Sequence, residues 1–168
     1  GTWDGKLYAL ETDTGDLRWR FETGRAIDSD PSVRDGTVYF GSADSAVYAV
    51  GLSDGDEQWK FQTGDRVPSS PALTADTVYI GSNDSTVYAL NATDGTQRWA
   101  YETGDRVQAK PAVVDGTVYI GSEDATLYAL NASDGTERWA FEEPGSIYGL
   151  PAVINGALYI GSTDNRLY

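Results

Sequence analysis

The chain contains no cysteine, no histidine and no methionine. Without cysteine there is no disulfide, no thiolate nucleophile and no thiolate metal site. Without histidine there is no imidazole ligand and no side chain whose unperturbed pKa lies near neutrality. Histidine-dependent triads, zincins and haem ligation by His or Cys are thereby excluded within these residues. The lack of cysteine does not assign a compartment, because cytosolic and exported proteins alike can do without disulfides. No run of about eighteen apolar residues could cross a bilayer as a helix, no charged start leads into an apolar stretch, and helical periodicity is absent throughout. Lysine is scarce, with 3 residues against 18 Asp, and 26 acidic against 12 basic residues leave a net charge of −14. Such a surface repels phosphate backbones and anionic headgroups, so neither nucleic acid nor membrane insertion is expected. The charge is spread through the whole chain rather than gathered in one place. That distribution points to halophilic adaptation, not to a cation store or a clamp for a basic partner.

What is present is a phrase repeated every forty residues. Gly41-Ser42-Ala43-Asp44, Gly81-Ser82-Asn83-Asp84, Gly121-Ser122-Glu123-Asp124 and Gly161-Ser162-Thr163-Asp164 stand in register with Gly1-Thr2-Trp3-Asp4. Trp19, Trp59, Trp99 and Trp139 keep the same step, as do Pro31, Pro71, Pro111 and Pro151 and the tyrosines 8, 48, 88, 128 and 168. A period of this length marks stacked supersecondary units, each too small to bury its own apolar face. The chain begins and ends at the same phase of the repeat, and the expectation is a piece of a longer protein.

Residues 111–143 read as one unit. Pro111-Ala-Val-Val114 is a short strand A, and Asp115-Gly116 a two-residue hairpin turn. Thr117–Ser122 is strand B, Ala125–Asn131 is strand C, and Thr136–Glu142 is strand D, with Trp139 and Phe141 alternating against Arg138, Ala140 and Glu142. Four strands per forty residues, apolar within and charged only on the outermost, describe a blade of an all-β propeller made of four-stranded antiparallel sheets. The expected layout is a single propeller domain over 1–168. Strands C and D occupy 5–23, blades occupy 31–63, 71–103 and 111–143, and strands A, B and the start of C occupy 151–168.

Phrases such as Val87-Tyr-Ala-Leu-Asn-Ala-Thr-Asp-Gly-Thr-Gln-Arg-Trp99 and its copy ending at Trp139 resemble the tryptophan-docking repeat of the pyrroloquinoline quinone propellers. That family includes quinoprotein alcohol dehydrogenases and noncatalytic outer-membrane assembly lipoproteins. The resemblance implies that Trp19, Trp59, Trp99 and Trp139 dock against neighbouring blades, and that about eight blades make a ring, of which this chain would be half. Closure into four blades would instead leave one strand redundant. Catalytic members are similar in holding the quinone over a Trp floor with calcium on Glu, Asn and Asp, a base Asp and often a disulfide. No triplet here matches that set and the disulfide is absent, so no catalytic or metal residue and no cofactor is expected. Quinone with calcium belongs to the alternative reading, a segment of a quinone-dependent alcohol or sugar dehydrogenase. A further alternative is a ligand-sensing propeller joined to an effector domain.

The repeats differ from one another mainly in the connection from D to A: Ile27-Asp-Ser-Asp30, Val67-Pro-Ser-Ser70, Val107-Gln-Ala-Lys110 and Ile147-Tyr-Gly-Leu150. The third residue of the Gly-Ser-x-Asp turn varies too. Both connections lie on one face of a propeller, where rigid sheets present binding loops. The candidate binding residues are therefore Asp28, Asp30, Ser70, Asn83, Gln108, Lys110, Glu123 and Tyr148, facing a protein or a small ligand, with Tyr148 as anchor. Asp44, Asp84, Asp124 and Asp164 read as turn residues bonding their own backbone. Three sequons, at Asn83, Asn91 and Asn131, add a slight preference for an extracytoplasmic location. If self-repulsion among the acidic groups opposes folding, the unfolding midpoint rises as KCl screens them; a midpoint that stays level or falls with salt removes the halophilic reading.

Overall fold

A computed structural model describes residues 1–168 as sixteen β-strands without a helix. Three complete four-stranded antiparallel sheets run β3 (Ser32–Arg34) to β6 (Glu57–Gln62), β7 (Ala72–Leu73) to β10 (Gln97–Glu102), and β11 (Ala112–Val114) to β14 (Glu137–Glu142). Two half-sheets flank them: β1 (Lys6–Leu10) with β2 (Leu17–Glu22), and β15 (Ala152–Ile154) with β16 (Ala157–Tyr159). The remaining strands, β4 (Thr37–Ser42), β5 (Ala46–Gly51), β8 (Thr77–Gly81), β9 (Thr86–Asn91), β12 (Thr117–Gly121) and β13 (Thr126–Asn131), are the B and C strands of the complete blades. The sheets follow one another as meandering blades of an unclosed ring.

Local chemistry sets the turns. Asp35 and Gly36 have φ of 48° and 78°, and Asp115 and Gly116 of 47° and 71°, the double left-handed pair of a type I′ hairpin. The second complete blade departs from this expectation, since Thr74-Ala75-Asp76 takes no left-handed residue there. Every C-to-D pairing carries a bulge, as between Ala129 and Leu130. Strands B and C are buried along both faces, whereas D alternates and A is only half-buried. Strand A is therefore wetter than its apolar sequence predicts, because it borders the ring axis and has no sheet on that side.

Blades are joined by tryptophan. The indole of Trp19 lies over Gly55, Trp59 over Gly95 and Trp99 over Gly135, each so close that a Cβ on the glycine would meet the ring at 2.7 Å. Those glycines also have φ of 71–76°, so both the turn and the docked ring require glycine. Each indole Nε1–H donates to a carbonyl three residues before that glycine: Trp19 to Leu52 O at 2.9 Å, Trp59 to Ala92 O at 3.0 Å and Trp99 to Ala132 O at 3.0 Å. The tyrosine hydroxyls of strand B share two of these acceptors, Tyr39 on Ala92 O and Tyr79 on Ala132 O, both at 3.1 Å. A second aromatic row, Phe21 with Tyr48, Phe61 with Tyr88 and Tyr101 with Tyr128, crosses the same junctions with ring centroids 5.3–5.4 Å apart.

Trp139 differs from the other three strand-D tryptophans. It stays 41% exposed, and no glycine lies under its ring. The two classes of tryptophan should separate on mutation. Trp99→Ala opens a cavity between packed blades and should destabilise by about 3–5 kcal/mol, whereas Trp139→Ala and Trp3→Ala, the latter at a 90% exposed turn residue, should each cost less than about 1 kcal/mol. Chemical denaturation of the three variants checks this, and equal losses would mean that the docking geometry is misassigned.

Candidate functional site

The loop face is built from the D-to-A connections and the B-to-C turns, which are stitched together. Each connection first folds over the turn of its own blade: Thr63 N–H donates to Ser45 O at 2.9 Å and Val67 N–H to Ser42 O at 3.0 Å. It then presents a carbonyl to the next blade, where Arg66 O accepts from Asn83 N–H at 2.8 Å and from the buried Ser82 Oγ at 3.3 Å. Val67 O would lie 2.4 Å from a Cβ on Gly41; the glycine of the Gly-Ser-x-Asp phrase exists to admit that backbone.

The turn aspartates do more than bond their own backbone. Asp84 Oδ1 accepts from Thr86 N–H at 3.1 Å, while Oδ2 takes the Tyr88 hydroxyl at 2.8 Å and, from the preceding blade, Gly64 N–H at 2.6 Å. Asp124 repeats this with Thr126, Tyr128 and Gly104, and Asp44 bonds Tyr48 and Gly24 through Oδ2 while its Oδ1 is shielded and unpartnered. Burial, and then the carboxylate hydrogen bond, push the Tyr88 and Tyr128 hydroxyls up to about 12. The fourth connection breaks the pattern. Glu143-Pro144 replaces Thr-Gly, so the threonine hydroxyl bonds seen at Thr63 and Thr103 are lost. Pro144 has no N–H to offer Asp164.

The family model described as outer membrane protein assembly factor BamB matches residues 1–168. The chain belongs to the BamB family. A search of curated protein sequences finds no match. Among solved structures, BamB from Moraxella catarrhalis is 23% identical with a TM-score of 0.86, and the match covers 99% of this chain and 52% of that one. The computationally designed Ika8 protein is 16% identical with a TM-score of 0.90 and the same coverage, 99% and 52%. Quinohemoprotein alcohol dehydrogenase ADHIIG from Pseudomonas putida HK5 is 23% identical with a TM-score of 0.73, covering 84% of this chain and 29% of that one. At these identities the likeness is one of fold, and the chain spans about half the length of the first two.

On this BamB-family propeller few of the candidate residues touch one another. Asp30 N–H donates to Ser70 Oγ at 2.9 Å, linking the same position of successive blades. Neighbouring Ser69 donates to Ala109 O at 2.7 Å. Asp28 and Asp30 are exposed, and Ser70, Gln108, Lys110 and Glu123 half-buried. Asn83 is half-buried as well, with a shielded, unpartnered Oδ1. Tyr148 is 46% exposed on the least stitched connection, beside Leu150 at 56%. Sequence reasoning passed over Leu150, and over the exposed Arg66 and Arg106 that the Asp-Arg pair repeats beside this rim. Three of the tryptophans are held in blade junctions, and the turn carboxylates accept from tyrosine hydroxyls and backbone N–H groups.

The tyrosine–aspartate pairs set an alkaline limit. A hydroxyl whose folded-state pKa lies above its unfolded value of about 10 stabilises the fold fully below that pH and loses the contribution as pH rises through about 12. Unfolding midpoints should fall over that window in step with tyrosinate absorbance. Tyr88→Phe should cost about 1–2 kcal/mol at neutral pH and make the alkaline fall shallower; an unchanged fall would show that other groups govern it.

Proposed function

We propose that this BamB-family domain is a noncatalytic scaffold that binds a protein on its loop face, without cofactor and outside the cytoplasm. One observation carries the reading. The D-to-A connections are held rigid by backbone and hydroxyl bonds, yet the side chains that vary among blades project from them, and the connection with the fewest bonds exposes Tyr148 and Leu150. An exposed aromatic and aliphatic pair, with Lys110, Gln108, Arg66 and Arg106 on other D-to-A connections, has the composition of an interface anchor in a polar surround. The family description names outer membrane protein assembly, which supports a protein partner and an extracytoplasmic site. The dehydrogenase alternative draws no support from the residues present.

Exchanging rim residues for those of a neighbouring repeat keeps local folding and removes recognition. Tyr148→Asp with Leu150→Asp, the residues of the first connection, should weaken capture of a specific partner from the source cell's envelope fraction by about thirtyfold or more while the unfolding midpoint stays unchanged. Identical capture by both forms refutes the loop-face assignment. Incubation with pyrroloquinoline quinone and calcium should leave no quinone absorbance on the desalted protein, and retained stoichiometric absorbance would reinstate the dehydrogenase.

A further inference from the structure

One cleft gathers charge of the sign that the rest of the chain has little of. It lies between the second and third complete blades, among the A-to-B and C-to-D turns and so on the face opposite the loop face, and has a volume of about 310 Å³. Asp76 and Arg98 stand on one wall, Gly116, Asn131, Ser133 and Arg138 on the other. Between them Tyr79 has its hydroxyl already given to Ala132 O at 3.1 Å. Two guanidinium groups thus border one space in a chain whose net charge is −14. Both walls belong to complete blades.

Neighbouring bonds steady these donors without using them up. Asp76 Oδ1 accepts from the Thr77 hydroxyl at 2.9 Å, and its Oδ2 lies 2.9 Å from Arg98 Nη1. One fixed carboxylate therefore positions the first guanidinium and leaves most of its N–H groups unengaged. Arg138 Nη2 donates to Gly116 O at 3.3 Å, and this arginine forms no ion pair. Asn131 Oδ1 accepts from Ser133 N–H at 3.3 Å and from Ser133 Oγ at 3.1 Å, which leaves the Asn131 amide nitrogen as a donor without an acceptor. The carboxylates of the adjacent turns, Asp94 and Asp134, are bonded to Thr96 and Thr136 rather than to either arginine.

The other junctions lack the pair. The corresponding cleft between the first and second complete blades, about 220 Å³, has Gln58 in the place of Arg98, with its Oε1 accepting from Thr37 Oγ1 at 2.9 Å, and no basic residue lines it. Arg18, at the same position of β2, is held by Glu11 at 2.6 Å, and the blade that follows it offers Gln58. Only between the second and third complete blades does an arginine stand at this position on both sides.

We propose that this cleft binds a small molecule through an oxyanion, a carboxylate or phosphate group bracketed by Arg98 and Arg138 with the Asn131 amide as a further donor. A guanidinium fork meets such a group through two parallel charge-assisted bonds. At long range the net charge of the chain repels anions, so recognition rests on these contacts and not on steering. The volume is at the lower end of small-molecule sites. No residue of the loop face takes part, and the site stands or falls apart from the protein-binding role.

The test is a titration of the ¹⁵N-labelled protein, folded in KCl, with potassium phosphate, potassium succinate and glucose, the ionic strength being kept constant with KCl. Phosphate or succinate should saturably shift the amide resonances of Gly116 and Ser133 and the side-chain N–H resonances of Arg98 and Arg138, while glucose shifts none; the tighter anion identifies the group. Arg98→Gln and Arg138→Gln should each weaken binding by about tenfold or more. Gln58 shows that the fold accepts glutamine at this position, and since each substitution removes only an exposed contact the unfolding midpoint should stay within about 3 °C of wild type. The proposal is overturned if neither anion gives saturable shifts, if glucose gives the same ones, or if either variant binds as tightly as wild type, which would leave the arginines as braces for their own turns.

Discussion

A tryptophan laid on a glycine of the next repeat, with its indole N–H on a carbonyl three residues earlier, is the contact on which the architecture turns. Trp and acceptor carbonyl are 33 residues apart at each junction. An insertion between them would carry the carbonyl and the glycine off the indole together, and the strand-B tyrosine that shares the carbonyl would lose its partner too. This is a physical reason for a period that never slips. A glycine is required twice over, for its left-handed backbone and for the absence of a Cβ under the ring, so the Asp-Gly pair between C and D is a receptor as well as a turn.

The opposite face is held by hydroxyls, carboxylates and backbone. Ser82 and Asp84 and their counterparts consume their hydrogen-bonding capacity in joining one blade to the last. Most of the remaining acids face solvent, where they govern solubility more than fold. What the loop face can recognise is left to the few side chains excluded from this network, and the fourth connection has the most of them. Glu143-Pro144 there removes two donors, and the loop that loses them is the one that exposes Tyr148 and Leu150.

The amino-acid sequence by itself determined the period, the all-β class and the four-stranded blade, because these depend on local alternation, turn chemistry and exact repetition; the docking role of the tryptophans was implied only by the family resemblance. It also separated the variable connection from the copied strands. Only the tertiary structure decided what repetition conceals. Trp139 has the same local sequence as Trp99, yet Trp99 is received by Gly135 and the Ala132 carbonyl of the next blade while Trp139 stays exposed. The turn aspartates looked local because one oxygen is; the other reaches a backbone N–H twenty residues back, in another blade. Burial of strand A was overestimated from its apolar residues because composition does not say that one side of a strand meets an axis instead of a sheet. Residues that act alone on their own turn were legible in sequence, and residues whose partner belongs to the neighbouring blade became legible only once the blades were stacked.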